Sequence, residues 1–346
     1  MGYARLEALI TAALAGVGLA FVVPTAIGRA VLLAPIAIEM ARRLGFEKGS
    51  RGSTGLILTA GMSTSLPAFA ILPSNVPNVV MTGIAENLYE KTFSYGEYLA
   101  INFPVLGGFG VICIVLLNWV LFRDEPKAEI VTTSETNFSR VEFALSLVLC
   151  ATILLWITDA WHGVGPSWIA MGAALLCTSP LVGALSARDL TTKINFGPMF
   201  FVAGVIGFGA VVSDLGLSQQ VGSALVGNLH SLGDAGDGLI YAAIMMIGMI
   251  VAAGTTVPTA PGLMTPLAGE LSAITGWSID SVLLMQVPTW VIIPLPYLVP
   301  PLVLTITVGK VPPAQAVKLF LCYFIVGLTV LAPAHFAWAR WIGALY

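Results

Sequence analysis

Two stretches far apart in the chain are nearly identical, and this repeat constrains the fold more than any other feature. Val23-Pro24-Thr25-Ala26-Ile27-Gly28 returns as Val257-Pro258-Thr259-Ala260-Pro261-Gly262. Downstream, Leu32-Leu33-Ala34-Pro35-Ile36-Ala37-Ile38-Glu39-Met40 is echoed by Leu263-Met264-Thr265-Pro266-Leu267-Ala268-Gly269-Glu270-Leu271, and Pro67 with Pro73 by Pro288 with Pro294. Ordered matches that two short gaps bring into register mark one structural unit used twice. Each copy reads as two apolar arms joined at a Pro-Thr kink, then an apolar helix interrupted by prolines. Proline removes a backbone donor and clashes with the preceding turn, so these points stop an α-helix.

Composition sets the medium. The 346 residues are 57% hydrophobic and 10% charged, where soluble domains carry about 25% charged residues. So little charge cannot cover a globule of this size with polar surface. That excludes a cytosolic enzyme, a nucleic-acid binder and a disordered chain. It points to an integral, multi-pass membrane protein whose partner surface is the lipid bilayer. The net charge of -3 implies no polyionic partner. The four Cys (Cys113, Cys150, Cys177, Cys322) stand singly in apolar runs, without metal or disulfide spacing. Gly204, Gly207 and Gly209 read as helix-packing residues. The N-terminal apolar run after Arg5 reads as a first arm rather than a signal peptide, because the segment recurs later. No nucleophile elbow, phosphate loop or zinc motif is present, so neither an enzyme nor a resident cofactor is expected.

The fold class this predicts is an all-α polytopic membrane protein with inverted repeats, two re-entrant helical hairpins and two broken transmembrane helices. The first repeat spans 1–122: hairpin 4–41, broken helix 53–88 with its break at 73–78, and a span at 97–122. A polar connector, 123–139, follows. Residues 140–346 hold spans at about 141–158, 167–185 and 195–213, a short segment at 217–229, and the second repeat. That repeat comprises hairpin 239–275, broken helix 279–308 and a last span at 314–343. Placing the basic patch Arg42, Arg43, Lys48 and Arg51 in the cytoplasm puts the connector inside. Glu86, Glu90, Glu97, Asp159 and Asp237 then fall outside, and the second hairpin enters from the opposite face.

Non-helical backbone at membrane depth is tolerated only where it is buried in protein or lines a cavity. Inverted repeats with discontinuous helices mark secondary transporters. Helix N-termini at such breaks suit an anion, and carbonyls with helix C-termini suit a small cation such as Na⁺. The substrate-binding candidates are Thr25, Arg29, Asn75, Asn78 and Thr259; the ion-binding candidates are Val23, Ser74, Thr256, Val257 and Pro294. Arg29 is a basic residue inside an apolar arm, four residues beyond Thr25 on the same helical face. It could grip a substrate carboxylate or phosphate bidentately, or bond to another helix. The asparagines could contact a ligand or cap broken helix ends. Glu39, Glu270 and Asp214 read as interface residues, and His162 and His335 as residues near span ends without metal partners.

Two tip-Thr hairpins, each followed by a Pro-broken helix, resemble the divalent anion/sodium symporter family of the ion transporter superfamily, which includes dicarboxylate, citrate and sulfate carriers. The resemblance covers nearly the whole chain, with Phe201–Gly216 similar to the Gly-rich helix that precedes the second half. By resemblance, Val23-Pro24-Thr25 and Val257-Pro258-Thr259 stand at the two tip motifs. Ser74-Asn75-Val76-Pro77-Asn78 stands at the first linker and Pro294-Leu295-Pro296-Tyr297 at the second. The family's tips carry Ser-Asn-Thr; here only each Thr is retained. The family also has further spans before its first hairpin, so this chain reads as a reduced or truncated relative. The resemblance implies a secondary active transporter of a small anionic solute, a di- or tricarboxylate or an inorganic oxyanion. It would be coupled to Na⁺ or H⁺ by alternating access, in a bacterial-type inner membrane, with a homodimer as its expected assembly. A non-transporting membrane subunit or sensor stands as the alternative, favoured by the altered tips.

Overall fold

In lipid every backbone N–H and C=O must find its partner within the protein, which leaves an apolar chain few options besides helix. The computed structural model describes residues 2–126, 139–179, 196–216 and 236–346, together with 182, 186 and 188. Among the described residues there is no strand. Most of the polar connector and the whole 217–229 segment lie outside them.

Helices α1 (Gly2–Val22) and α2 (Ala26–Arg43) are joined through Val23, Pro24 and Thr25. Helix α3 (Arg51–Ser65) and helix α4 (Val76–Tyr89) flank a break containing the 3₁₀ turns Pro67–Ala70 and Leu72–Ser74. Helix α5 (Tyr95–Leu121) carries a π-helical stretch at Phe103–Phe109. Helices α6 (Arg140–Ile157), α7 (Pro166–Thr178) and α8 (Gly197–Asp214) follow. Next come α9 (Asp237–Gly254), α10 (Ala260–Met264) and α11 (Ala268–Thr275), the last two separated by the 3₁₀ turn Thr265–Leu267. Helices α12 (Ile279–Val291) and α13 (Pro300–Val308) flank a second break with a 3₁₀ turn at Pro296–Leu298. Helix α14 (Pro313–Trp341) closes the chain and has its own π-helical stretch, Gly327–Leu331. Among the described residues, five helices are long and apolar enough to cross a membrane: Ala4–Val22, α5, α6, α9 and α14.

Local chemistry sets the boundaries. Ser50, Ser94, Ser139 and Ser278 each accept a backbone N–H from the first turn of the following helix, and Ser139 forms a full capping box with Glu142. The sequence reads an apolar segment on to 72, whereas α3 stops at Ser65. Pro67 has no N–H to give the Ser63 carbonyl, so the α-helical ladder ends well before the Pro73 break.

The two hairpins open at opposite ends of the bundle. Arg5 donates to the carbonyls of Trp119, Phe122 and Asp124, and the Asp124 carboxylate accepts the Gly52 N–H. The beginnings of α1 and α3 and the end of α5 therefore share one end. At the other, Lys91 pairs with Asp280 at 2.8 Å, and Asp237 meets the Trp277 indole N–H at 3.2 Å and Arg340 at 3.5 Å. There the beginnings of α9 and α12 meet the ends of α11 and α14.

Packing follows the same symmetry. The first arm of each hairpin lies on the pre-break helix of its own unit, α1 on α3 and α9 on α12. The second arm also touches the post-break helix of the other unit, α2 on α13 and α10 on α4, while α2 packs chiefly along α3 of its own unit. Helix α2 buries Arg29, Ala30, Leu33, Ala34, Ala37 and Ala41 while exposing Ile27, Val31, Leu32 and Ile36. Small residues inside and large apolar residues outside are what lipid selects, since close backbone approach rather than water exclusion drives association there.

Candidate functional site

Arg29 heads the Ala-rich inner stripe of α2, one turn past the tip, and is completely buried. Its Nε–H donates to the Thr64 carbonyl at 3.0 Å. Nη1 reaches the carbonyl of Val23 at 2.6 Å and both the carbonyl and the Oγ of Ser74 at 2.9 Å. Nη2 donates to Asn75 Oδ1 at 3.3 Å. Among the described residues no carboxylate pairs with it. Thr64 lies in the last turn of α3 and Val23 just past α1, so the negative ends of two helix dipoles face the guanidinium.

The first break is stitched by its own polar side chains. Ser74 Oγ donates to the Ala20 carbonyl at 2.6 Å, tying the break to α1. The Asn75 amide donates to the Ser65 carbonyl at 3.3 Å, across the interruption. The Asn78 amide donates to Ile71 at 2.7 Å and to Ala68 at 3.4 Å. Side-chain N–H groups thus bond carbonyls at the end of α3 and along the 3₁₀ turns, as a broken helix requires. Asn78 Oδ1 and the hydroxyls of Ser63, Thr64 and Ser65 are buried around this break and find no hydrogen-bond partner among the described residues.

The second tip closes on itself. Thr259 Oγ1 accepts the Thr256 N–H at 3.1 Å, donates to the Thr256 carbonyl at 2.9 Å and lies 3.2 Å from Thr256 Oγ1. The Val257 N–H donates to the Leu298 carbonyl at 3.2 Å, joining tip to break as Arg29 does in the first unit. Thr256 and Thr259 line a cavity of about 710 Å³ with Gly262, Leu263 and residues of α8, including Gly204, Val205 and Phe208.

The structure therefore gathers Val23, Arg29, Ser74 and Asn75 into one cluster, and Thr256, Val257 and Thr259 into another. Asn78 turns to the backbone of its own break. Thr25 is exposed and makes no capping bond. Pro294 is half-buried and lines an apolar cavity of about 640 Å³ between α9, the second break and α14. One reading needs correction: among the described residues nothing lies within 4 Å of a Cβ placed at Gly204 or Gly207, so these glycines pack closely against none of them. His335, near the end of α14, is completely buried between Tyr241 Oη and Asn102 Oδ1, each at 3.2 Å. Sequence reasoning also missed Tyr89, which bonds to the second hairpin, and the carbonyls of Ala20, Thr64 and Ser65.

Two hairpins facing opposite ends, each tied to the break of its own unit, define a polytopic integral membrane protein built from two inverted units. Residues 2–290 match the citrate transporter family, and the chain belongs to that family. It is similar to a membrane protein of Cupriavidus necator, at 20% identity over 243 residues, which is 68% of this chain and 47% of the relative. The chain thus spans about half the length of that curated relative. Its fold is similar to that of the YdaH transporter of Alcanivorax borkumensis, with a TM-score of 0.52 at 14% identity, covering 98% of this chain and 84% of the other. Both the family and the structural neighbour are transporters rather than enzymes.

Proposed function

We propose that this chain carries the translocation path of a secondary active transporter for a small anionic solute of the di- or tricarboxylate class. The observation that supports this reading best is the pair of hairpin tips, each bonded to a proline-made break, in units of opposite orientation. Irregular backbone inside an apolar bundle is retained where it serves a path. The N-termini of α2, α4, α10 and α13 all start at a tip or a break, so their positive dipole ends suit an anion between the units. In this reading both hairpins are re-entrant, and the basic end of the first faces the cytoplasm of a bacterial-type cell. The coupling ion is Na⁺ or H⁺.

Counterflow in proteoliposomes tests the proposal. Vesicles loaded with unlabelled citrate should accumulate external labelled citrate or succinate transiently, and an inward Na⁺ or proton gradient should raise the peak. Absence of counterflow for every di- and tricarboxylate and for sulfate and phosphate, from protein that elutes as a folded species, would sink it.

A further inference from the structure

The first unit already holds a cation of its own. The Arg29 guanidinium is surrounded by five neutral oxygens: the carbonyls of Val23, Thr64 and Ser74, the Ser74 hydroxyl and the Asn75 amide oxygen. A carbonyl, hydroxyl and amide donor set at helix C-termini is what an alkali cation uses at an unwound membrane helix. Here the charge sits on a side chain fully removed from solvent, and among the described residues no carboxylate pairs with it. An unpaired buried charge is strongly unfavourable unless oriented dipoles replace its water, and the two helix C-termini supply them.

The second unit differs at the corresponding place. Arg29 directly follows the tip glycine Gly28, whereas the matching Gly262 is directly followed by Leu263. Leu263 lines the cavity that Thr256 and Thr259 also line, and among the described residues no charged side chain lines it.

We infer that Arg29 is a tethered cation, standing where an exchangeable monovalent cation would otherwise bind at the first tip and break. If the transport reading holds, on which this consequence rests, an exchangeable coupling cation is confined to the second unit. Ion binding and ion release then involve one unit only, while the first stays charged and closed around its own arginine.

Thermal unfolding of the full chain in detergent tests this, with Arg29→Lys, Arg29→Gln and Arg29→Ala each measured in Na⁺, in choline and in choline with methylguanidinium. Arg29→Lys keeps a cation and should accumulate and melt close to the parent. Arg29→Gln keeps two N–H donors without charge and should fall with Arg29→Ala. In choline, Arg29→Ala should melt roughly 5 °C or more below the parent. Methylguanidinium, and Na⁺ beyond its effect on the parent, should restore most of that loss. The inference is overturned if Arg29→Gln matches Arg29→Lys in folded yield and melting, since hydrogen bonding alone would then suffice. It is also overturned if Arg29→Ala folds and responds to neither cation more than the parent does. Should Arg29→Ala not accumulate, the comparison of Lys with Gln decides. No transport is read out, so a chain that fails counterflow yet shows the rescue loses the transport reading and keeps the tethered cation.

Discussion

The Tyr89 hydroxyl donates to the Pro266 carbonyl at 2.7 Å and accepts the Gly269 N–H at 3.2 Å, bridging the kink of the second hairpin from the end of the helix that leaves the first break. In a continuous α-helix the Pro266 carbonyl would accept the Glu270 N–H and the Gly269 N–H would go to the Thr265 carbonyl. The 3₁₀ turn at Thr265–Leu267 interrupts that ladder, and a tyrosine from the opposite unit bonds to both groups. Tyr89→Phe removes both of these part-buried bonds. It should destabilise the chain by about 1–3 kcal/mol, read as a lower melting temperature.

Close approach differs between the two units. A Cβ at Gly16 would lie 2.9 Å from the Thr64 backbone nitrogen, whereas one at Gly248 would lie 2.6 Å from Thr289 Cγ2, a side-chain atom. Gly16→Ala must push α1 off α3 and should cost about 1–3 kcal/mol. Gly248→Ala should cost less, and adding Thr289→Ser, which removes the offending methyl, should recover most of it. Equal melting shifts for the two single variants would contradict this geometry.

The buried relay at His335 has a defined proton arrangement. Asn102 donates its amide to the Tyr98 carbonyl at 3.0 Å, so its oxygen faces His335. The imidazole then donates from Nε2, and Nδ1 is left to accept from the Tyr241 hydroxyl. A double-mutant cycle of Tyr241→Phe with His335→Phe should give a coupling of about 0.5–3 kcal/mol. A coupling near zero would mean that the two rings merely touch.

The break asparagines should separate by readout. Asn75 is engaged on both sides, by Arg29 and by Ser65, whereas Asn78 has an oxygen without a partner among the described residues. Asn75→Ala should lower melting by an amount equivalent to about 1–3 kcal/mol. Asn78→Ala should in addition reduce counterflow in proteoliposomes several-fold relative to Asn75→Ala at equal folded yield. The reverse ranking would leave Asn78 as a helix cap alone.

Opposite polarity of the hairpins is checked by labelling single cysteines, with Cys113, Cys150, Cys177 and Cys322 replaced. Lys48→Cys lies at the open end of the first hairpin; Thr92→Cys and Ala273→Cys lie at the open end of the second, and all three positions are exposed. An impermeant thiol reagent on intact cells should modify Thr92→Cys and Ala273→Cys and spare Lys48→Cys. Modification of all three from one face would dismantle the inverted arrangement.

Proline and glycine punctuation made the tips and breaks legible in the sequence, because these residues act on their own backbone. What the punctuation reaches is harder to read. Pro67 ends α3 through a carbonyl four residues earlier, so the helix stops sooner than the apolar run does. Arg29 could be singled out as a buried charge, but most of its partners are backbone carbonyls, which look alike at every position. The bonds His335 makes to Asn102 and Tyr241 connect residues 233 and 94 apart, and no local pattern marks them. Composition shows that polar groups inside such a chain must be paired; only the packing shows with whom.

The crosswise seating of the hairpins has a mechanical consequence. Each second arm touches the half-helix of the opposite unit, and α2 is also packed along α3 of its own unit, so the arms are held by both units at once. On the transport reading proposed above, the arms face contrary ends, so a displacement that loosens one mouth would press on the other. A continuous bore would require both seats to come apart together, whereas tipping would require neither to separate.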